Sequence, residues 1–340
     1  MKKTRFLVVS LLLVLLLSVV GLSKETLTIY TAYDADQAVV YIEAFEAAYQ
    51  EIDVEWVRLS SGEVYVRLLA EAANPQASLW FGGSNTSHIA AAKAGLLAPY
   101  TESLAWQYIA PQFRDTAGMW IGLYVGYIGF VSNTEFLAEV GVEAPTSWQD
   151  LLKPEFTGEI TLAYAFSSGT AYTTLAGMLT AIGTSDVGFD ADDEEYVAAF
   201  SAQVGQYNTS GSAAATMVGL GEFGVGMVFS HDIVKKAIAP GYPVVMTFPS
   251  EGTSYEIGGM ALIKDGPQPE LAKIFYDWAM GKEAQDLYQE FFRLPLNPEA
   301  ELAEGSVKAT DVNVLPVDLI WYGDNKEAML DKWSEVTGEY

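Results

Sequence analysis

The chain has 340 residues, half of them hydrophobic and 13% aromatic, with no cysteine and a formal net charge of −26. That length suits two ordinary domains and the composition excludes a disordered chain, while the missing thiols exclude a disulfide scaffold or a lipid-bearing cysteine. Acidity of this size argues against nucleic acid or an anionic membrane as partner, and two distant histidines without a thiol make a zinc site unexpected.

In chain order, Lys2, Lys3 and Arg5 precede an apolar run from Phe6 to Val20, and Gly21-Leu22-Ser23 supplies a small-x-small site. This is the pattern of a cleavable export signal and predicts a periplasmic protein. Removing it takes three cations away and leaves a charge of about −29. Leu27 to Tyr30 reads as a buried strand, Ala35 to Tyr49 as a helix, Val54 to Arg58 as a strand and Glu63 to Ala73 as a helix. Leu79 to Phe81 and the helix Thr86 to Ala94 complete a β-α-β-α-β rhythm, which predicts a parallel sheet covered on both faces. Trp120 to Ser132 carries either two strands or one long crossing strand, and Pro145 to Trp148 caps a short helix. Ile160 to Phe166 leads into the helix Tyr172 to Ile182, and Gly224 to Ser230 is a buried strand ending in His231-Asp232. Ile257 to Ile263 returns a strand before the amphipathic helices Pro269 to Met280 and Lys282 to Phe292.

Four junctions share one chemistry: Ser60-Ser61-Gly62, Gly82-Gly83-Ser84-Asn85, Ser167-Ser168-Gly169-Thr170 and Asn208-Thr209-Ser210-Gly211-Ser212. Each places small hydroxyl residues and glycine before a predicted helix. Free amides and the positive end of the helix dipole favour a bound anion there. A Ser or Thr at such a place also caps a helix with no ligand. It is the recurrence that points to a site, since ligands of such sheets bind beyond the carboxyl ends of the strands.

The segments "LTIYTAYDADQAVVYIEAFEAAY", "PTSWQDLLKPEFTGEI", "SSGTAY", "GEFGVGMVFSHD" and "YEIGGMALIKDGPQPELAKIFYDW" resemble the periplasmic substrate-binding proteins of ABC importers. They are similar to the ferric-ion-binding type and its relatives that bind phosphorylated sugars or phosphonates. The resemblance implies an α/β fold of the type II periplasmic binding protein, two Rossmann-like lobes with a cleft and crossing hinge strands. It places the first lobe in residues 24–125 and 250–281 and the second in 126–249 and 282–340. The implied function is capture of a small organic anion, as a monomer without cofactor, for delivery to a permease and ATPase complex.

In the iron-binding members, two adjacent tyrosines hold the ferric ion; Ser230-His231-Asp232-Ile233 occupies their place here. Asp34 falls near the position of the family's early histidine, and Gly82 to Ser84 near that of its glutamate. Phosphate or phosphonate is therefore expected on Ser167, Ser168, Gly169 and Thr170, with Ser61, Ser84 and Asn85 beside them and Ser60, Ser210 and Ser212 in support. His231, Asp232 and Glu256 or Glu251 are expected to read the rest of the ligand. Tyr33, Trp80, Tyr172 and Tyr207 are candidate walls, and Asp34 joins Tyr33 at the cleft; His88 is assigned to the structure of its helix. Ferric iron, a polyamine or thiamine, and an exported hydrolase using His231 are the alternatives. No nucleophile elbow, phosphate-binding loop of the Walker type or zinc-protease motif supports an enzyme.

Overall fold

The computed structural model describes residues 24–183 and 188–339. The expected export signal lies outside the described residues. The elements begin with β1 (Glu25–Thr31), α1 (Ala35–Ala48), β2 (Ile52–Arg58), α2 (Ser61–Ala70), β3 (Leu79–Ser84), α3 (Asn85–Lys93), β4 (Leu97–Ala98) and β5 (Ile121–Asn133). Then come α4 (Thr134–Val140), β6 (Ile160–Ala163), α5 (Gly169–Ile182), α6 (Ala191–Ser201), β7 (Val204–Asn208), α7 (Ala213–Gly219), β8 (Val225–Phe229) and α8 (Ser230–Ile233). The chain continues through β9 (Val244–Thr247), β10 (Tyr255–Ile263), α9 (Pro269–Met280), α10 (Lys282–Asp286), β11 (Leu294–Pro295), α11 (Leu319–Asp324) and α12 (Lys326–Thr337).

The strands run β2-β1-β3-β10-β5-β8-β6-β7, with β9 also on β5. β1 is parallel to β2 and β3, and β6 is parallel to β7 and β8, so each half has the predicted covered parallel sheet. Alternation explains the double cover: Ile29 shares a core with Phe45 of α1 and Phe275 of α9, whereas its neighbour Tyr30 joins Leu68 of α2 and Ala91 of α3.

Trp120 to Ser132 resolves into one strand, β5, buried along its whole length. Its residues up to Tyr127 pair with β10, and from Ile128 onward they pair with β8 and β9. The change of partner between Tyr127 and Ile128 divides the molecule into two lobes, and the path back runs through Thr253 and Ser254 into β10. The predicted strand Ile160 to Phe166 stops at Ala163, because the Tyr164 carbonyl accepts from the amides of Ser167 and Ser168 and turns the chain.

Residues 282–297, placed with the second lobe by the resemblance, pack with the first. Tyr288 and Phe291 bury themselves among Ile29, Phe45 and Tyr33, and Leu294 and Pro295 extend the sheet beside Val125 and Tyr124. Burial of large aromatic rings decides this placement. Further on, α11 lies on α3, with Gly323 close against Ile89, and Lys332 of α12 meets Glu194 of α6 at 2.8 Å.

Candidate functional site

One cavity between the lobes gathers residues from all four Ser/Gly junctions; it is lined by Ser60, Ser61, Gly83, Ser168, Gly169, Thr170, Gly211 and Ser212. Glycine makes the convergence possible. A methyl group on Gly169 would stand 2.7 Å from Ser84 Cβ and 3.0 Å from Ser61 Oγ, so the mouths of α2, α3 and α5 touch only without it. Gly62 is as confined: its added Cβ would meet the Phe166 carbonyl at 2.1 Å, while its amide donates to the Ser167 carbonyl at 3.0 Å.

Local capping leaves particular amides over. In α5 the Ser168 hydroxyl accepts from Ala171 (3.4 Å) and the Ser168 carbonyl from Tyr172 (3.0 Å). The amides of Gly169 and Thr170 open that helix and, by position, lack an acceptor within it. At α2, Glu63 turns back to accept from the Ser60 amide at 2.6 Å, leaving the Ser61 amide at the helix mouth. Arg58, at the end of β2, adds a full cation to the same wall. Amides, dipole ends and a guanidinium on one wall have the chemistry that suits a phosphate-like anion.

The opposite wall is built from Tyr124, Phe229, Asp232, Glu256 and Arg293. Arg293 arrives on the coil after α10, with Nε on Gln37 at 3.2 Å and its guanidinium over the Tyr124 ring at 4.3 Å. Asp232 and Glu256 flank it at 4.0 and 3.9 Å, beyond hydrogen-bond reach. Burial pushes the Glu256 carboxyl up to about 7, although Arg293 and the 2.9 Å hydrogen bond from Tyr124 work the other way. Asp232 is also raised by burial, against Arg293 and Lys236. Burial opposes the charge on Arg293 too, yet the surrounding Tyr124 and Asp232 hold its guanidinium protonated.

Across the cleft mouth the lobes are tied by polar contacts. Asp34 accepts from Arg58 at 3.1 Å, from Ser212 at 2.7 Å and from Lys236. Arg58 also reaches Ser210 (3.3 Å), and Ser60 donates to the Thr209 carbonyl (3.0 Å). Although burial raises it, the Asp34 carboxyl is brought down to about 2 by Lys236, Ser212 and Arg58.

Of the sequence candidates, Ser168, Gly169, Thr170, Ser61, Asp34, Asp232 and Glu256 line the cavity, as do Ser60 and Ser212. Ser167 turns its hydroxyl onto the Tyr164 carbonyl at 3.2 Å, with the Thr209 carbonyl at 3.5 Å. Ser84 and Asn85 lie behind the wall: Ser84 bonds Thr86 and Ser61, and Asn85 faces the Ile257 amide at 3.5 Å. Tyr33 is core, its hydroxyl 2.6 Å from that of Tyr288. His231 is buried between Tyr124 and Phe229; among the described residues neither ring nitrogen is hydrogen-bonded, Asp232 standing 3.6 Å from Nε2, and burial followed by Arg293 and Lys236 holds it neutral. Glu251 is remote, accepting from the Trp148 amide at 3.1 Å. Trp80, Tyr172 and Tyr207 also pack in the core cluster rather than at this cavity; Tyr124 and Phe229 supply its aromatic walls. His88 stacks on Trp80 at 3.9 Å and meets the Ser84 carbonyl at 3.1 Å, as a structural residue should.

Sequence reasoning missed Arg58, Lys236 and Arg293. Arg58 had one available signal, since it stands two residues before the first Ser/Gly junction at a strand end. Arg293 had none, because its coil joins the cleft only through the burial of Tyr288 and Phe291.

Two α/β lobes joined by crossing strands, with helix mouths converging on a cleft, define a type II solute-binding protein. The chain belongs to the bacterial extracellular solute-binding protein family, whose model matches residues 82–320. It is similar to the periplasmic binding protein AfuA of Actinobacillus pleuropneumoniae, solved with exogenous fructose 6-phosphate bound: 30% identity, TM-score 0.87, covering 94% of this chain and 100% of that one. A probable ABC transporter periplasmic-binding protein of Sinorhizobium fredii, y4fP, is 29% identical over 91% of this chain and 84% of its own length. A putative 2-aminoethylphosphonate-binding periplasmic protein of Salmonella typhimurium is 25% identical over 84% of this chain and 83% of its own.

Proposed function

We propose that this chain is the periplasmic receptor of an ABC importer and captures a small organic anion through a phosphate or phosphonate group. The convergence of the α2 and α5 mouths with Arg58 on one cavity carries the reading. The anionic group sits on the amides of Ser61, Gly169 and Thr170, with the hydroxyls of Ser60, Ser168 and Thr170 around it. Asp232, Glu256 and Arg293 meet the rest of the molecule. His231 acts behind them as a neutral ring that shapes the wall. A fructose 6-phosphate complex in one relative and an aminoethylphosphonate assignment in another support the class of ligand.

Binding is a hinge event about the partner change in β5 and the return into β10, with lobes at about the boundaries given above near residues 125 and 250. The closed form, held by the contacts of Asp34 and Arg58, is the form a permease recognises, so ligand binding and signalling coincide. The protein acts as a monomer and releases its ligand unchanged. Ferric iron suits the cavity less well: Tyr124, its lining tyrosine, donates to Glu256, and burial holds that phenol far above its usual value.

A thermal-shift screen against hexose phosphates, 2-aminoethylphosphonate, ferric salts and polyamines tests the reading. Ligand at 100 times its dissociation constant adds ~2.7 kcal/mol to stability. A shift with ferric ion or polyamine and none with any phosphorylated compound would refute it, and release of inorganic phosphate would make the protein an enzyme.

A further inference from the structure

Arg293 is the cation that the rest of the cavity does not satisfy. Its side chain is 8% exposed, its Nη1 has no hydrogen-bond partner among the described residues, and the two carboxylates beside it stop at 3.9 and 4.0 Å. Gln37 holds Nε, and the faces of Tyr124 and Tyr33 fix the plane of the guanidinium. A buried donor without an acceptor is unfavourable, so the wall is incomplete as it stands. What completes it must offer a lone pair to Arg293 and a proton to Asp232 or Glu256.

A hydroxyl group does both, being one donor and two lone pairs. An ammonium has three donors and no lone pair. It could satisfy the carboxylates but would leave Nη1 unpaired and stand beside a like charge in a water-poor site, where repulsion is strong. Two acids alone would select an amine. Two acids with a guanidinium wedged between them select a neutral, hydroxylated group.

We propose that Arg293 is a specificity-determining residue that makes the cleft prefer phosphate or phosphonate ligands with hydroxylated tails over those ending in an ammonium. The proposal rests on the anion-binding reading above and adds the chemical class of the ligand's other end.

Isothermal titration of the mature protein with 2-hydroxyethylphosphonate and 2-aminoethylphosphonate tests it, because the two differ only in the terminal group. Wild type is expected to bind the hydroxyl compound about tenfold or more tightly, a difference of ~1.4 kcal/mol. Arg293→Met should cancel or reverse that ratio. Arg293→Lys keeps a cation and should keep the sign of the preference. Equal affinities in wild type, or an amine preference there, overturn the proposal whether or not Arg293→Met folds. An unchanged ratio in a folded Arg293→Met protein overturns it as well. If wild type binds neither compound nor inorganic phosphate, the anion reading itself falls and takes this inference with it.

Discussion

Asp34 and Lys236 form an ion pair across the mouth of the cleft, one from the turn after β1 and the other from the segment after α8. Neither residue is near the other in sequence, and each belongs to a different lobe, so the pair exists only when the lobes are closed. Lys236→Met should therefore favour the open form. Small-angle scattering should give a larger radius of gyration for the ligand-free variant, and ligand affinity should fall about tenfold. Unchanged scattering and affinity would mean that the pair does not hold the closed form. Because the Asp34 carboxyl is lowered from 3.8 to about 2, its contribution is complete above about pH 4 and is lost as pH falls through 2.

Gly62 and Gly169 separate closure from folding. Both lie at the start of a helix, where alanine is tolerated or favoured. Gly62→Ala and Gly169→Ala should thus melt near the wild-type temperature without ligand. Their new methyl groups collide with Phe166 and with Ser84 across the cleft, so affinity should drop by two orders of magnitude or more. A variant that binds as wild type does would show that the helix mouths need not meet.

Glu256 gives the cleft a pH signature. Its folded value of about 7 lies above the ordinary 4.5, so the folded protein keeps a proton that the unfolded chain has lost. This group's contribution to stability therefore declines as pH rises from about 4.5 to 7 and is flat above. His231 has the opposite sign: its lowered value makes stability fall as pH drops below about 6.5. Glu256→Gln should remove the first trend and leave the second, raising the ligand-free melting temperature more at pH 8 than at pH 4.5. The same gain at both would contradict the assignment.

Lys326 is buried against the Tyr172 ring, 3.5 Å from its centre, with no hydrogen-bond partner for its amine among the described residues. Burial lowers it to about 7, so the penalty for a buried charge is full below pH 7 and disappears towards 10.5. The ring face offsets only part of it. Lys326→Met, similar in volume, should raise the melting temperature by roughly 4 °C at pH 6, about 1–2 kcal/mol, with the gain fading by pH 9. Destabilisation at pH 6 would show that the cation–ring contact outweighs desolvation.

Strand and helix periodicity made the lobes legible. The alternation in β1 and the helix Pro269–Met280 follow directly from the pattern, and the Ser/Gly junctions located the cleft wall. Side-chain direction was not legible. Ser167 and Ser168 are adjacent and chemically alike, yet one serves a turn carbonyl and the other lines the cavity. Glu251 and Glu256 are five positions apart, and only the pairing of β10 with β5 turns Glu256 inward. Nor could a local pattern place Arg293, whose position depends on aromatic burial more than 250 residues away in sequence at Tyr41 and Tyr33.

The most direct measurement of the anion site is a crystal structure of the mature protein grown with fructose 6-phosphate. Phosphate oxygens are expected about 3 Å from the amides of Ser61, Gly169 and Thr170, with Arg58 beside them and the sugar hydroxyls on Asp232, Glu256 and Arg293. A phosphate bound elsewhere, or a sugar whose phosphate points away from these helix mouths, would contradict that arrangement.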